Sequence, residues 1–224
     1  MTKVSIVCAY NTQIDMTKEF LDNLVETTKY EDIDIECILV HGVVGDEENI
    51  AHKFVTNYQI IKNKGFCNTL NHGLKQVAKN SDYVFMVGND SFPSDEDWLT
   101  RLVKAAEETK AKLINPADQN TRRVRPTMYK EEGKYAYCNF FPSVAWFFPK
   151  EVLDEIGLLD ERFTGAGYYA DNDWCKRITN TYGENQIVVV KDLVMEHRCS
   201  QEGKALGITN QMGQLHEVYK AKWL

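Results

Sequence analysis

Three polar clusters interrupt the apolar patterning of the chain, and each carries residue types suited to chemistry. Gly88-Asn89-Asp90-Ser91 directly follows the apolar run Tyr83–Val87. An acid at the end of a buried strand can hold a hard divalent cation, which keeps waters and bridges phosphate oxygens. Asp is equally at home capping a turn or helix, so both readings of Asp90 stand. The second cluster, Ala170-Asp171-Asn172-Asp173, precedes a helical pattern. Its two carboxylates either complement the helix dipole or present one carboxylate to a cleft as a general base. The third is His197 in Met195-Glu-His-Arg-Cys-Ser200. No HExxH and no paired His–Cys spacing accompanies it, so nothing points to zinc.

The elements that must position these residues alternate. Lys3–Ala9 is a nearly continuous apolar run, as expected of a strand covered on both faces. Met16, Phe20, Leu21, Leu24 and Val25 then recur at helical spacing. Ile35–Val40 and Tyr58–Ile61 read as strands, Glu47–Val55 as a weaker helix between them, and a further helix runs through Leu74 and Val77. After the strand Tyr83–Val87, Ser94 is the expected N-cap of a helix reaching Glu108, with Asp97 completing a weak capping box. Strand–helix alternation over residues 1–115 predicts an α/β fold with one mostly parallel twisted sheet flanked by helices. Farther on, Tyr135–Tyr137, Ser143–Phe148 and Gln186–Val190 are expected strands. Lys150–Ile156, Asp173–Tyr182 and Gln214–Trp223 are expected helices. No repeat or linker divides the chain, so residues 1–224 read as a single domain.

Composition narrows the function classes. The 224 residues carry a formal net charge of −7, so the overall field repels nucleic acid and anionic membrane. The cluster Arg122, Arg123 and Arg125 is a local exception that suits phosphate. No apolar stretch approaches a membrane span, and the N-terminus lacks a signal-peptide core. The 6 cysteines include no CxxC pair and read as reduced, mostly buried thiols of a cytoplasmic protein. In open α/β sheets ligands bind beyond the carboxyl ends of the strands. None of the loops there is a GxxxxGK[ST] or GxGxxG, which argues against P-loop and dinucleotide-binding enzymes. The loop Tyr10–Asp15 contains neither Gly nor Lys, which argues against a nucleotidyltransferase.

Taken in order, Val4-Ser-Ile-Val-Cys-Ala-Tyr-Asn11, Asn63-x-Gly65 with Asn71-x-Gly73, and Tyr83-Val-Phe-Met-Val-Gly-Asn-Asp90 resemble the donor half of family 2 glycosyltransferases. Phe147–Phe163, with its helix ending in Gly and running into Asp-Glu-x-Phe, looks like that family's second half, followed by Asp171-Asn-Asp173 and His197. The resemblance covers roughly residues 3–200. It implies a GT-A fold, with residues 1–115 binding a nucleotide sugar and 116–224 the acceptor, and inverting transfer assisted by Mn²⁺ or Mg²⁺.

By the same resemblance Asp171 is the general base, although Ala170 stands where the family has Glu. Asp90 is the last acid of a DxD-type motif whose first acid is Gly88, and His197 completes the metal shell. An imidazole ligand tilts preference toward Mn²⁺. Ala9, Tyr10 and Asn11 line the nucleobase and ribose, with Asn63, Gly65, Asn68 and Asn71 opposite and Asn89 beside Asp90. His41 takes the place of an Asp that recognises a uracil-type base. Trp146, Tyr168 and Tyr169 are candidates to stack on the acceptor; Trp146 also reads as core. The implied partners are a UDP- or dTDP-linked sugar and a glycan or other hydroxyl acceptor. There is no nucleic acid and no membrane span, while peripheral membrane association stays open. The competing reading is a non-catalytic nucleotide-sugar-binding domain of a larger assembly. A helix N-terminus should lower the pKa of Asp171, in tension with its role as a base.

Overall fold

The computed structural model describes residues 1–29, 32–45, 49–118, 127–198, 207 and 211–224. Arg122, Arg123, Arg125 and Cys199 lie outside the described residues. In chain order the first half contains β1 (Thr2–Tyr10), α1 (Ile14–Thr27), β2 (Ile33–Val43), β3 (Asn57–Lys62), α2 (Phe66–Leu74), β4 (Tyr83–Gly88), β5 (Ser91–Pro93) and α3 (Trp98–Thr109). There follow β6 (Leu113–Asp118), β7 (Met128–Glu132), β8 (Tyr135–Cys138), β9 (Ala145–Pro149), α4 (Lys150–Ile156), α5 (Ala170–Tyr182), β10 (Ile187–His197) and α6 (Met212–Trp223).

One sheet runs through both halves in the order β3-β2-β1-β4-β9-β6-β10-β8-β7, with β5 paired to the end of β10. Strands β1 to β4 are mutually parallel, and most paired residues of the sheet are in parallel register. The expected α/β architecture is therefore present, with antiparallel pairings added around β9 and β8.

Alternation along the strands divides the core in two. Val4, Ile6, Cys8 and Tyr10 of β1 face the cluster built on α1 and α3, with Phe20, Leu24, Trp98 and Leu102. Val7 faces the other cluster, where α2, α4 and α5 contribute Leu70, Leu74, Val152, Trp174 and Ile178. In β9, Ala145 and Phe147 face the first cluster, and Trp146 and Phe148 the second. The motif glycine Gly73 sets how closely α2 lies on the sheet: a Cβ there would stand 2.6 Å from Val7 Cγ1 and 2.9 Å from Val40 Cγ2.

Several elements differ from expectation for local reasons. Residues 49–55 form no helix. His52 closes a turn instead, its carbonyl accepting from Val55 N, and Thr56 ties the segment to Cys37 of β2. Such local side-chain and backbone bonds compete with a helix. Ser94 does not cap α3; its hydroxyl donates to Val194 O, and the helix begins only after Asp97. Strand β10 does not end at Val190. A register shift against β6 between Val190 and Val194 lets it continue to His197, where it takes β5 as a new antiparallel partner.

Candidate active site

The strand order reverses direction at β1, with β2 on one side and β4 on the other, which makes the carboxyl ends of β1 and β4 the expected binding crevice. A cleft of about 690 Å³ opens there. It is lined by Ala9 and Asn11 at the end of β1 and by Gly88, Asn89 and Asp90 at the end of β4. Asn63, Lys64, Gly65, Phe66 and Thr69, leading into α2, line it, as do the segments 142–144 and 165–168. Asp171 and His197 complete the lining.

Close backbone packing shapes these walls. Gly65 has φ +108°, and Phe66 N donates to Gly165 O at 2.8 Å, joining the start of α2 to the loop before α5. The Asn63 side chain closes the turn by accepting from Gly65 N at 2.7 Å.

Asp171 stands in the first turn of α5, where Asn172 N donates to its Oδ1 at 2.9 Å. Burial pushes its carboxyl up to about 6, against the opposing pull of the backbone N–H groups of Asn172, Asp171 itself and Ser143. The expected lowering by the helix N-terminus is thus overturned, because desolvation of the carboxylate outweighs those donors. Asp173 has a different environment. It is fully buried, accepts from Arg177 Nε at 3.0 Å and Trp223 Nε1 at 2.8 Å, and pairs with Lys222 Nζ at 2.6 Å.

Asp90 and His197 meet because β5 pairs with the end of β10, placing Ser91 opposite His197. Arg198 N donates to Asp90 O at 2.9 Å beside this pair. The carboxylate Oδ2 lies 3.5 Å from His197 Nε2. Two donors each about 2.1 Å from one ion stand at about this separation, so the pair fits a divalent cation. Among the described residues no group of three or more His, Cys, Asp or Glu is arranged to hold an ion. Gly88 also belongs to this geometry, since a Cβ there would lie 2.7 Å from Asp90 Oδ1. The Asp90 carboxylate occupies the space over the position where the first acid is missing.

Ala9, Asn11, Asn63, Gly65, Asn89 and Tyr168 line the cleft, whereas other candidates do not. Tyr10 and His41 are cross-strand neighbours on the α1/α3 face, fully buried and stacked with ring centroids 4.4 Å apart. The Tyr58 hydroxyl lies 2.7 Å from that of Tyr10 and 3.3 Å from His41 Nδ1. Asn68 donates to Glu161, and buried Asn71 bonds Leu159 through both its amide atoms. Trp146 is core, stacked on Trp174 at 5.0 Å. Tyr169, at φ +69°, turns toward α6 and stacks on His216. Lys64, Phe66 and the 142–144 segment line the cleft without having been expected there. Lys64 and Phe66 sit inside the Asn63–Asn71 motif, so its spacing could have found them.

Glycosyl transferase family 2 matches residues 5–168, most of the chain. The chain belongs to that family. No curated protein matches this family 2 glycosyltransferase. Its fold is similar to that of a Pyrobaculum calidifontis mannosyltransferase solved with GDP-Man and Mn²⁺, with TM-score 0.65 and 16% identity over 89% of this chain and 58% of that one. GalNAc-T7, solved with UDP, GalNAc and Mn²⁺, is similar with TM-score 0.67 and 12% identity over 88% and 44%. S. aureus TarS 1-349 with UDP is similar with TM-score 0.63 and 16% identity over 91% and 62%. The glycosyltransferase spans less than two thirds of each of these three chains. At these identities the likeness shows the fold, which is GT-A.

Proposed function

We propose that this glycosyltransferase moves a sugar from a nucleoside diphosphate donor to an acceptor hydroxyl with inversion, and that Asp171 takes the acceptor's proton. The observation that carries this reading is the half-buried Asp171 carboxyl, pushed up to about 6, in the same cleft as Asp90, His197 and Lys64. Bond breaking leaves negative charge on the departing diphosphate, and groups that favour that charge lower the barrier. Lys64 brings a positive charge to the cleft lining. Asp90 and His197 would hold Mn²⁺ or Mg²⁺, which when bound supplies Lewis-acid stabilisation of the diphosphate. The attacking hydroxyl then needs one carboxylate base and no second acid, unlike the two-carboxylate plan of glycosidases.

UDP- or dTDP-linked donors are proposed, supported by the amide side chains of Asn11 and Asn63 in the lining. The acceptor, a glycan or other hydroxyl compound, is assigned to the side bearing Tyr168. The whole chain is proposed to act as one domain, supported by the continuity of the sheet. No helix among the described residues is long and apolar enough to cross a membrane, and Cys8, Cys37, Cys67, Cys138 and Cys175 are buried thiols. A cytoplasmic setting is proposed on the thiols.

The competing reading, a donor-binding domain without catalysis, draws on Gly88 and on Ala170, which is packed in the core. Turnover by Asp171→Asn separates the two. The substitution keeps shape but cannot accept the proton, so transfer should fall by about two to four orders of magnitude. Nucleotide affinity should stay within a few-fold. A parent protein without transfer from any UDP-, dTDP- or GDP-sugar would favour the binding module, and GDP binding tightest in calorimetry would overturn the pyrimidine assignment.

A further inference from the structure

Asp118 ends β6, and the parallel pairing of β6 with β10 sets it opposite Met195, two residues before His197. Residues two apart on a strand share a face, so Asp118 comes to the His197 ring from the β6 side. Its Oδ2 lies 3.7 Å from His197 Nδ1, while Asp90 Oδ2 lies 3.5 Å from Nε2. The two ring nitrogens point apart, and the carboxylates therefore flank the ring on different edges. The Asp118 side chain is 11% exposed, and its other oxygen, Oδ1, is buried with no hydrogen-bond partner among the described residues. Burying an unpartnered carboxylate oxygen is costly, so this acid is held in place against its own solvation.

We propose that Asp118 is a positioning residue for His197. It accepts a hydrogen bond from His197 Nδ1–H, which leaves the Nε2 lone pair facing Asp90 and the cleft. The proposal rests on the reading of Asp90 and His197 as the protein's donors to a divalent cation. Metal-bound imidazoles commonly donate their other N–H to a carboxylate, which fixes the tautomer and the ring plane. Asp118 is not itself a donor to that ion, because the imidazole stands between it and Asp90. The 3.7 Å contact is longer than a formed hydrogen bond. Contacts of this kind are often long in the empty site and tighten when it is loaded.

The test compares Mn²⁺ binding, by water-proton relaxation with and without UDP, in the parent, Asp118→Ala, Asp118→Asn, Asp90→Ala and His197→Ala. Asp118→Ala should weaken Mn²⁺ by about ten- to a hundredfold. Asp118→Asn, whose amide oxygen can still accept the hydrogen bond from Nδ1–H, should stay within a few-fold, and UDP affinity without metal should not change in either. Nitrogen-15 spectra of the parent with Mg²⁺ and UDP should show His197 protonated at Nδ1, and Asp118→Ala should lose that preference. Parental Mn²⁺ affinity in Asp118→Ala would overturn the proposal. So would a proton on Nε2 in the parent, or an equal loss in Asp118→Asn, which would make Asp118 a ligand. Unchanged Mn²⁺ binding in both Asp90→Ala and His197→Ala would instead defeat the metal reading, and the tautomer measurement would still decide what Asp118 does.

Discussion

Asp171 and Asp173 lie in the same first turn of α5, yet packing gives them opposite characters. Asp173 has cationic and indole partners, whereas Asp171 has backbone donors and burial. A carboxyl held at about 6 must be ionised to act as a base. The rate should therefore rise about tenfold per pH unit up to about 6 and level off above it, measured as kcat/KM, which reports the free protein's carboxyl. The same shift has a stability counterpart. The folded-state value lies above the ordinary 3.8, so the native state holds this proton more tightly than the unfolded chain. Its contribution therefore turns unfavourable as pH rises from about 4 to about 6, by on the order of 1–3 kcal/mol. Asp171→Asn should melt higher than the parent at pH 7.5, and the gain should vanish near pH 4. A lower melting temperature for the variant at pH 7.5 would contradict this account of the residue.

At the scale of elements, α5 is held from both ends of its first turns. Arg177 joins Asp173 to the carbonyls of Ile156, the last residue of α4, and of Leu158 beyond it, while Lys222 and Trp223 bring in α6. Removing one partner from a buried ion pair leaves the others uncompensated. Asp173→Ala should cost about 3–5 kcal/mol in urea unfolding, and Asp173→Asn less. Any Asp173→Asn protein that folds should keep nucleotide affinity. Loss of turnover in a fully stable Asp173→Asn, with Asp171→Asn still active, would reverse the two assignments.

The elements also show where the sequence was readable. Asp90, Asp171 and His197 stand out as polar groups beside apolar patterns, and it is the family resemblance that implies one shared cleft. Tyr10 and His41 were misplaced by strand parity. They share a face with Cys8 and Leu39, whereas the neighbouring Ala9 reaches the cleft. Strand β6 was hidden because Asn115 and Pro116 interrupt its apolar run. Pro is tolerated there because β9 pairs with β6 only at Ile114. With β6 unseen, Asp118 had no place in the reading.

On the scale of the whole molecule, the net charge of −7 gives the cleft little help in collecting an anionic donor from a distance. Attraction must come from charges close to the site. On the proposed assignment of Asp90 and His197 as the protein's donors, the remaining positions on a cation would fall to diphosphate oxygens and water. Mn²⁺ alone should thus bind weakly and gain affinity when UDP is present, each ligand raising affinity for the other by the same factor. Relaxation titrations in both orders of addition check this. Tight Mn²⁺ binding without nucleotide, unaffected by His197→Ala, would place the ion elsewhere.

The pairing of β5 with the end of β10 has a consequence for how the molecule is made. His197 follows Asp90 by more than a hundred residues, and the two meet only when the end of β10 docks on β5. A ribosome-bound chain can release β1 to β4 and let them pair while His197 is still unsynthesised. Contacts so distant in sequence also carry the larger loop-closure entropy and tend to form late. During refolding, parallel-sheet circular dichroism should therefore recover before cation affinity does. The proposed metal pair would then report completion of the fold, and a chain stalled before β10 docks would have the crevice at β1 and β4 without His197.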